Sequence, residues 1–333
     1  MGANTDKRNT TVDVIKGVLI VFVLFAHYAW MERQRNYFFF PYIIDMAVPV
    51  FLLLSGYLGA LSFKRRKVET LSEAYTCKNI GHKVIRYTIP FLIVVIWQIV
   101  DPNVIIDQKG FFNKLRWVLN GTIGQGSYFY PVLIQLVFVF PVLYFLIKRK
   151  GRRGLLVCLI INAIFEILKW SYLMNLECYR LLVFRYVFVI AAGIYASEYD
   201  MSVLQSIVMT VIGGVFIGLT RYEIYTPRII TFWTGTSFIA VMWIVPITIW
   251  IIRKIRFRFP PLEGFGKASY NIFLVQMVYY RSYRVKLIPR IKPWKLELLV
   301  GMLICLVVGY VFYRIESVIT KNIEKILLKS ARQ

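Results

Sequence analysis

Residues 16–27 read KGVLIVFVLFAH: a lysine, ten residues without a polar side chain, then a histidine. With an ordinary pKa of about 6.5, a histidine can take and return protons near neutral pH. His27, one of only two histidines in the chain, is therefore the first candidate for chemistry. It would act as a general base toward a poor nucleophile such as a hydroxyl, or as a transient acceptor of the group being moved. On a helix an eleven-residue step turns about 1,100°, within about 20° of a whole number of turns, so Lys16 and His27 share a face. Asp13, three residues before Lys16, joins that face and is counted with His27 as a catalytic candidate. The step rises about 16 Å, about half the hydrocarbon thickness of a bilayer. Taken alone, the same residues also fit an interfacial Asp13–Lys16 ion pair and a histidine in an aromatic belt beside Tyr28 and Trp30.

Two further stretches carry candidates. DMAVPVFLLLSGYL (45–58) sets Asp45, Ser55 and Gly56 in a long apolar run. Ser-Gly permits close helix packing, and Pro49 is expected to kink the helix, but neither accounts for Asp45. HKVIRYTIPFL (82–92) puts Lys83 and Arg86 three apart on one face at a helix start. That spacing suits a phosphate-bearing ligand, though taken alone ordinary cytoplasmic charge is the favoured reading.

The elements that must position these residues are membrane spans. Of 333 residues, 58% are hydrophobic and 17% aromatic, and the mean hydropathy is +0.61. A soluble domain rarely passes about half apolar, so the chain reads as all-α, a polytopic membrane bundle. Apolar runs predict about ten transmembrane helices, near 12–30, 41–62, 84–100, 129–147, 154–169, 181–197, 203–220, 229–252, 270–283 and 296–315. The ninth is the weakest, carrying Asn271, Gln276 and Arg281. The net charge of +24 does not point to nucleic acid. Its basic residues form short runs between spans (KRRK, KRKGRR, RKIRFR), the pattern of cytoplasmic loops and anionic headgroup contact. The bias puts both termini in the cytoplasm, with the basic 281–295 loop as the exception. The basic, amphipathic tail 316–333 is expected to lie on the inner surface. No linker divides the chain, which reads as one domain over 1–333. Cys77, Cys158, Cys178 and Cys305 lie far apart and suggest no metal site.

In order and spacing, these residues resemble the membrane acyltransferase 3 family. Its opening basic residue, ten apolar positions and histidine correspond to Lys16 and His27, with Asp13 ahead. VPVFLLLSGYL (48–58) matches the Phe-rich stretch ending in Ser-Gly-aromatic, and Lys83, Arg86 and Pro90 match the basic pair before a proline-containing helix. YFYPVLIQLVFVFPVLYFL (128–146), FRYVFVIAAGIY (184–195) and SYNIFLVQ (269–276) resemble later segments. The chain departs from the pattern in having lysine at 16 and 83, where arginine is commoner, and Gln276 where relatives often carry histidine. Lysine keeps the charge but not the bidentate fork.

The resemblance implies an integral-membrane O-acyltransferase of the surface-polysaccharide type, in a bacterial cytoplasmic membrane. It would use acetyl-CoA as donor substrate, with no tightly bound cofactor and no metal, and its acceptor would be a cell-surface glycan or a lipid-linked sugar. Lys16, Lys83 and Arg86 would hold the CoA phosphates and His27 would stand at the transfer point. Asp45, Ser55, Arg180 and Arg185 are candidates for the acceptor or an oxyanion. The competing class is a transporter of an organic anion or lipid-linked sugar, which also needs cationic sites and an intramembrane histidine. The sequence shows no internal repeat to favour it.

Overall fold

The computed structural model describes residues 9–100, 116, 118, 120–121, 124–171, 173–221, 238–284 and 293–330. Parts of the expected eighth span (229–237) and of the basic loop (285–292) lie outside the described residues. Helices carry the fold, with no strand among the described residues. In chain order they are α1 (Thr10–Ala26), α2 (Glu32–Tyr37), α3 (Ala47–Arg65), α4 (Leu71–Ala74), α5 (Cys77–Val100), α6 (Phe129–Lys150), α7 (Arg152–Trp170) and α8 (Leu176–Leu181). A 3₁₀ turn (Val183–Tyr186) leads into α9 (Val187–Glu198). There follow α10 (Val203–Arg221), α11 (Phe238–Val241), α12 (Ile244–Lys254), α13 (Pro260–Lys267), α14 (Ser269–Val278), a π-helical turn (Tyr279–Tyr283) and α15 (Trp294–Ser330).

Five stretches are long and apolar enough to cross a membrane: Ala47–Arg65, Leu71–Val100, Phe129–Lys150, Val203–Thr220 and Trp294–Leu327. The expected span 154–169 coincides with α7, as long as α3 but carrying Arg152, Arg153, Glu166 and Lys169, and others coincide with shorter or interrupted helices, such as the 17 residues of α1 and α14, which passes into the π-helical turn. Outward-facing apolar stripes, such as Leu299, Leu303, Val307, Val311 and Ile315 on α15, repeat every four residues and suit contact with lipid tails.

At the centre stands α9, buried at every position from Val187 to Ala196, as a helix apolar all round must be. It crosses α3 through a pair of glycines. A β-carbon at Gly56 would lie 2.3 Å from the Ile190 carbonyl oxygen, and one at Gly193 would lie 2.1 Å from that of Leu53. A second reciprocal crossing joins α1 to α13, where Gly17 faces the Leu262 carbonyl and Gly266 faces that of Asp13. Missing β-carbons let these backbones touch.

Hydrogen bonds sort the helix ends into two groups. At one end Lys64 Nζ meets Glu198 at 3.3 Å, Arg253 meets Asp200 at 2.6 Å, and His82 Nδ1 lies 2.5 Å from Glu324. Thr11 Oγ1 of α1 donates to the Ile255 carbonyl there. This end gathers the KRRK, KRKGRR and RKIRFR runs and is called the basic end below. At the other, Tyr28 and Arg284 both bond Glu297.

Two expectations change. Pro49 falls in the first turn of α3, where its N–H would have no helical partner anyway, so it costs no hydrogen bond and does not break the helix. Residues 41–46, expected to be helical, form turns ahead of it. The basic tail continues α15 without interruption to Ser330. The buried Glu316 and Thr320 and the His82–Glu324 contact hold it against its neighbours.

Candidate active site

His27 is the C-terminal cap of α1, its backbone N–H donating to the Val23 carbonyl at 3.2 Å. The imidazole folds back onto the same oxygen, with Nδ1 at 2.7 Å. A carbonyl only accepts, so Nδ1 carries the hydrogen and Nε2 is left with a free lone pair. The half-buried ring turns Nε2 toward the GQGS loop (124–127). A β-carbon built at Gly126 would lie 3.4 Å from it and 2.9 Å from the ring of Phe273 on α14. Gly126 has φ +87°, a left-handed conformation that a side chain disfavours. The loop is tied down on both flanks: Ser127 Oγ donates to the Gly121 carbonyl, and Gln276 Nε2 donates to the Gln125 carbonyl at 2.8 Å.

Just after His27 in the chain, an aromatic wall is built on Trp30. The Trp30 indole N–H donates to the Phe25 carbonyl at 2.6 Å, and its ring packs against Phe25, Tyr28, Phe40 and Trp294. Beside it Arg284 gives two N–H bonds, at 3.0 and 2.9 Å, to one oxygen of Glu297. Its guanidinium sits 4.6 Å from the Tyr28 ring centre, and Tyr28 Oη donates to the other Glu297 oxygen.

The remaining sequence candidates are dispersed. Lys16 and Asp13 belong to the basic end of α1. Asp13 stands about 21 Å along the helix from His27, so the two do not form a dyad. Asp13 is buried where α13 crosses. Lys83 Nζ rests over the rings of Phe140 and Phe63, 4.7 and 5.4 Å from their centres, and Arg86, one turn further, is exposed. Beside Phe63 opens a cavity of ≈ 210 Å³ lined by Lys64, Lys67, Lys148, Glu69 and Glu198. Asp45 is bound by Arg35 at 2.9 and 3.2 Å, which locks the turn before α3. Ser55 Oγ donates to the Phe51 carbonyl of its own helix. Arg180 is exposed. Arg185 is buried with its guanidinium 4.7 Å from the ring centres of both Tyr179 and Tyr186.

Sequence reasoning missed Gly126 and Phe273, which wall the His27 nitrogen. The glycines of GQGS were the available signal, but only the fold brings that loop to α1. It also missed two buried carboxylates within apolar helices. Glu166 accepts the Phe238 N–H at 3.0 Å, and Glu316 accepts from Asn271 at 3.0 Å and from Thr320. No group of three metal-ligating side chains occurs among the described residues.

The acyltransferase-domain family matches residues 9–314, nearly the whole chain. Nodulation protein NolL of Sinorhizobium fredii is 28% identical over 96 residues, which cover 27% of this chain and 24% of that protein. The similarity thus spans about a quarter of NolL. No solved structure matches the chain. An opening helix ending in an oriented histidine, a bundle of long apolar helices and a family match over residues 9–314 lead to one assignment: this chain is an integral-membrane protein of the acyltransferase 3 family.

Proposed function

We propose that the protein moves an acetyl group from acetyl-CoA to a hydroxyl of a cell-surface glycan or lipid-linked sugar, with His27 Nε2 as general base. The observation that carries this reading is the Nδ1–H bond to Val23, which leaves the lone pair of Nε2 facing the GQGS loop. In the step, Nε2 takes the proton of the acceptor hydroxyl as its oxygen attacks the thioester carbonyl. The tetrahedral intermediate collapses, the C–S bond breaks, and the thiolate of CoA leaves and recovers a proton from the imidazolium. Atoms balance: one ester and one free thiol result.

The donor enters at the basic end, which faces the cytoplasm, with both termini on that side and about ten spans crossing the membrane. Lys16, Lys83 and Arg86 hold the CoA phosphates there. Lysine cations suit phosphate, and Lys83, held on two phenyl rings, forms no ion pair with a carboxylate among the described residues. The rise of about 16 Å between Lys16 and His27 is a distance for the slender pantetheine arm rather than the nucleotide. The acceptor meets the acetyl group at the far end, beneath the aromatic wall.

The test is turnover by the protein reconstituted in sealed vesicles. Acetyl-CoA is supplied on one side at a time, free CoA thiol is followed, and glycan acceptors are weighed for an added acetyl group. Release of CoA with acceptor acetylation, only when acetyl-CoA reaches the basic end, supports the reading. Failure of the protein to consume acetyl-CoA from either side overturns it.

A further inference from the structure

Gln276 is fully buried on α14. Its Nε2 is committed to the Gln125 carbonyl, which fixes the sense of the amide because that oxygen only accepts. Its Oε1 is buried and meets no donor among the described residues. A buried acceptor is costly to leave without a hydrogen bond, so a bound donor is the natural complement to this one. Its position relative to His27 follows from the loop they share. Gln125 holds the Gln276 amide, and Gly126, the next residue, lies under His27 Nε2.

The direction of α14 says which substrate supplies the donor. The helix and the π-helical turn that continues it run from Asn271, bonded to Glu316 near the basic end, to Tyr280, bonded to the Leu24 carbonyl near the end of α1. Phe273, the ring beside Gly126, precedes Gln276 by one turn, a rise of about 4.5 Å. An acyl donor climbing from the basic end therefore meets Phe273 first, and Gln276 lies beyond it, on the acceptor's side. The hydroxyl that reacts has one proton, and His27 takes it. The donor to Gln276 must be a different group on the acceptor.

We propose that Gln276 Oε1 accepts a hydrogen bond from a second hydroxyl of the acceptor, vicinal to the one that His27 deprotonates, and so selects sugars and other vicinal diols over simple alcohols. The proposal rests on the acyltransferase reading above. A site built to bond a hydroxyl rejects the analogue lacking it, because its own polar group is then stranded. A neutral imidazole of similar reach can reproduce both functions of the amide, with one N–H for Gln125 and one bare nitrogen for the acceptor.

The experiment compares the wild type with Gln276→Leu and Gln276→His in the full-length protein. Methyl glucoside and its monodeoxy derivatives serve as probes at saturating acetyl-CoA, and the same probes are tested without acetyl-CoA for their effect on the thermal midpoint. The wild type is expected to prefer the intact glucoside over at least one monodeoxy derivative by about tenfold or more in kcat/KM. Gln276→Leu should lose that preference with KM for acetyl-CoA unchanged, and Gln276→His should keep it. The thermal shift should follow the same ranking. A wild type indifferent to the missing hydroxyl in both readouts overturns the proposal, as does a Gln276→Leu protein that still discriminates. Absence of CoA release with the thermal ranking intact would overturn the acyltransferase reading but not the diol site.

Discussion

Replacing Gly126 by alanine places one methyl group at the most sensitive point of the site. The backbone there has φ +87°, and a side chain in that region costs about 1–2 kcal/mol. The new carbon would lie 2.9 Å from the Phe273 ring, which must shift, and 3.4 Å from His27 Nε2. A hydroxyl giving its proton to Nε2 needs to approach to about 2.6–3.2 Å, so the methyl competes for the space the acceptor oxygen requires. A displacement of about 1 Å costs on the order of a hundredfold in rate. Gly121 supplies the control. It also has positive φ, +62°, and its added carbon would lie 2.9 Å from the Tyr128 backbone and 2.9 Å from Leu181, contacts that do not include His27. Both variants should therefore unfold at lower temperature than the wild type, Gly121→Ala at least as much. Only Gly126→Ala, assayed for CoA release where it is still folded, should lose about two orders of magnitude in kcat. Equal activity in the two folded variants would refute the placement of the reacting hydroxyl between His27 and the loop.

Other consequences follow from the same contacts. Gly193→Ala forces a β-carbon to 2.1 Å from the Leu53 carbonyl. Both sides are backbone, so the α3–α9 crossing must open, and a loss of about 3 kcal/mol is expected in denaturant titration. Arg284→Ala strands the buried Glu297 carboxylate, which should cost about 3–5 kcal/mol. Removing both charges with Arg284→Leu and Glu297→Leu should restore most of it, as thermal unfolding of the single and double variants would reveal. Lys83→Ala, measured by initial rates against acetyl-CoA concentration, should raise KM about tenfold with little change in kcat, since a charge-assisted contact made equally in ground and transition states is lost. Lys83→Arg should recover the affinity.

How much of this was legible beforehand depends on the range of the contacts. The helical repeat alone places Lys16 and His27 on one face at opposite ends, because eleven residues are close to a whole number of turns. Composition likewise announces α9, whose apolar residues continue around the whole helix. Both properties belong to single helices. The GQGS loop was not legible as part of the site, since nothing local ties residue 126 to residue 27. The link passes through Phe273 and Gln276, contributed by a third part of the chain. The same repeat puts Asp13 on the face of His27 but about 21 Å from it along the helix, and both properties were legible. Position within an element misled for Pro49, whose effect depends on lying in the first turn rather than the middle. At the C-terminus, charge and amphipathicity suggested a surface helix. They gave no hint that Glu324 would meet His82.

The most direct test of the account is the rate of CoA release from acetyl-CoA by His27→Ala beside the wild type. Both would be shown to be folded by thermal unfolding, with and without added imidazole. A base at Nε2 is worth about 10²–10⁴-fold, so the variant should lose at least a hundredfold, and imidazole diffusing into the vacated space should return part of the activity. A folded His27→Ala protein that releases CoA at the wild-type rate would contradict the central claim.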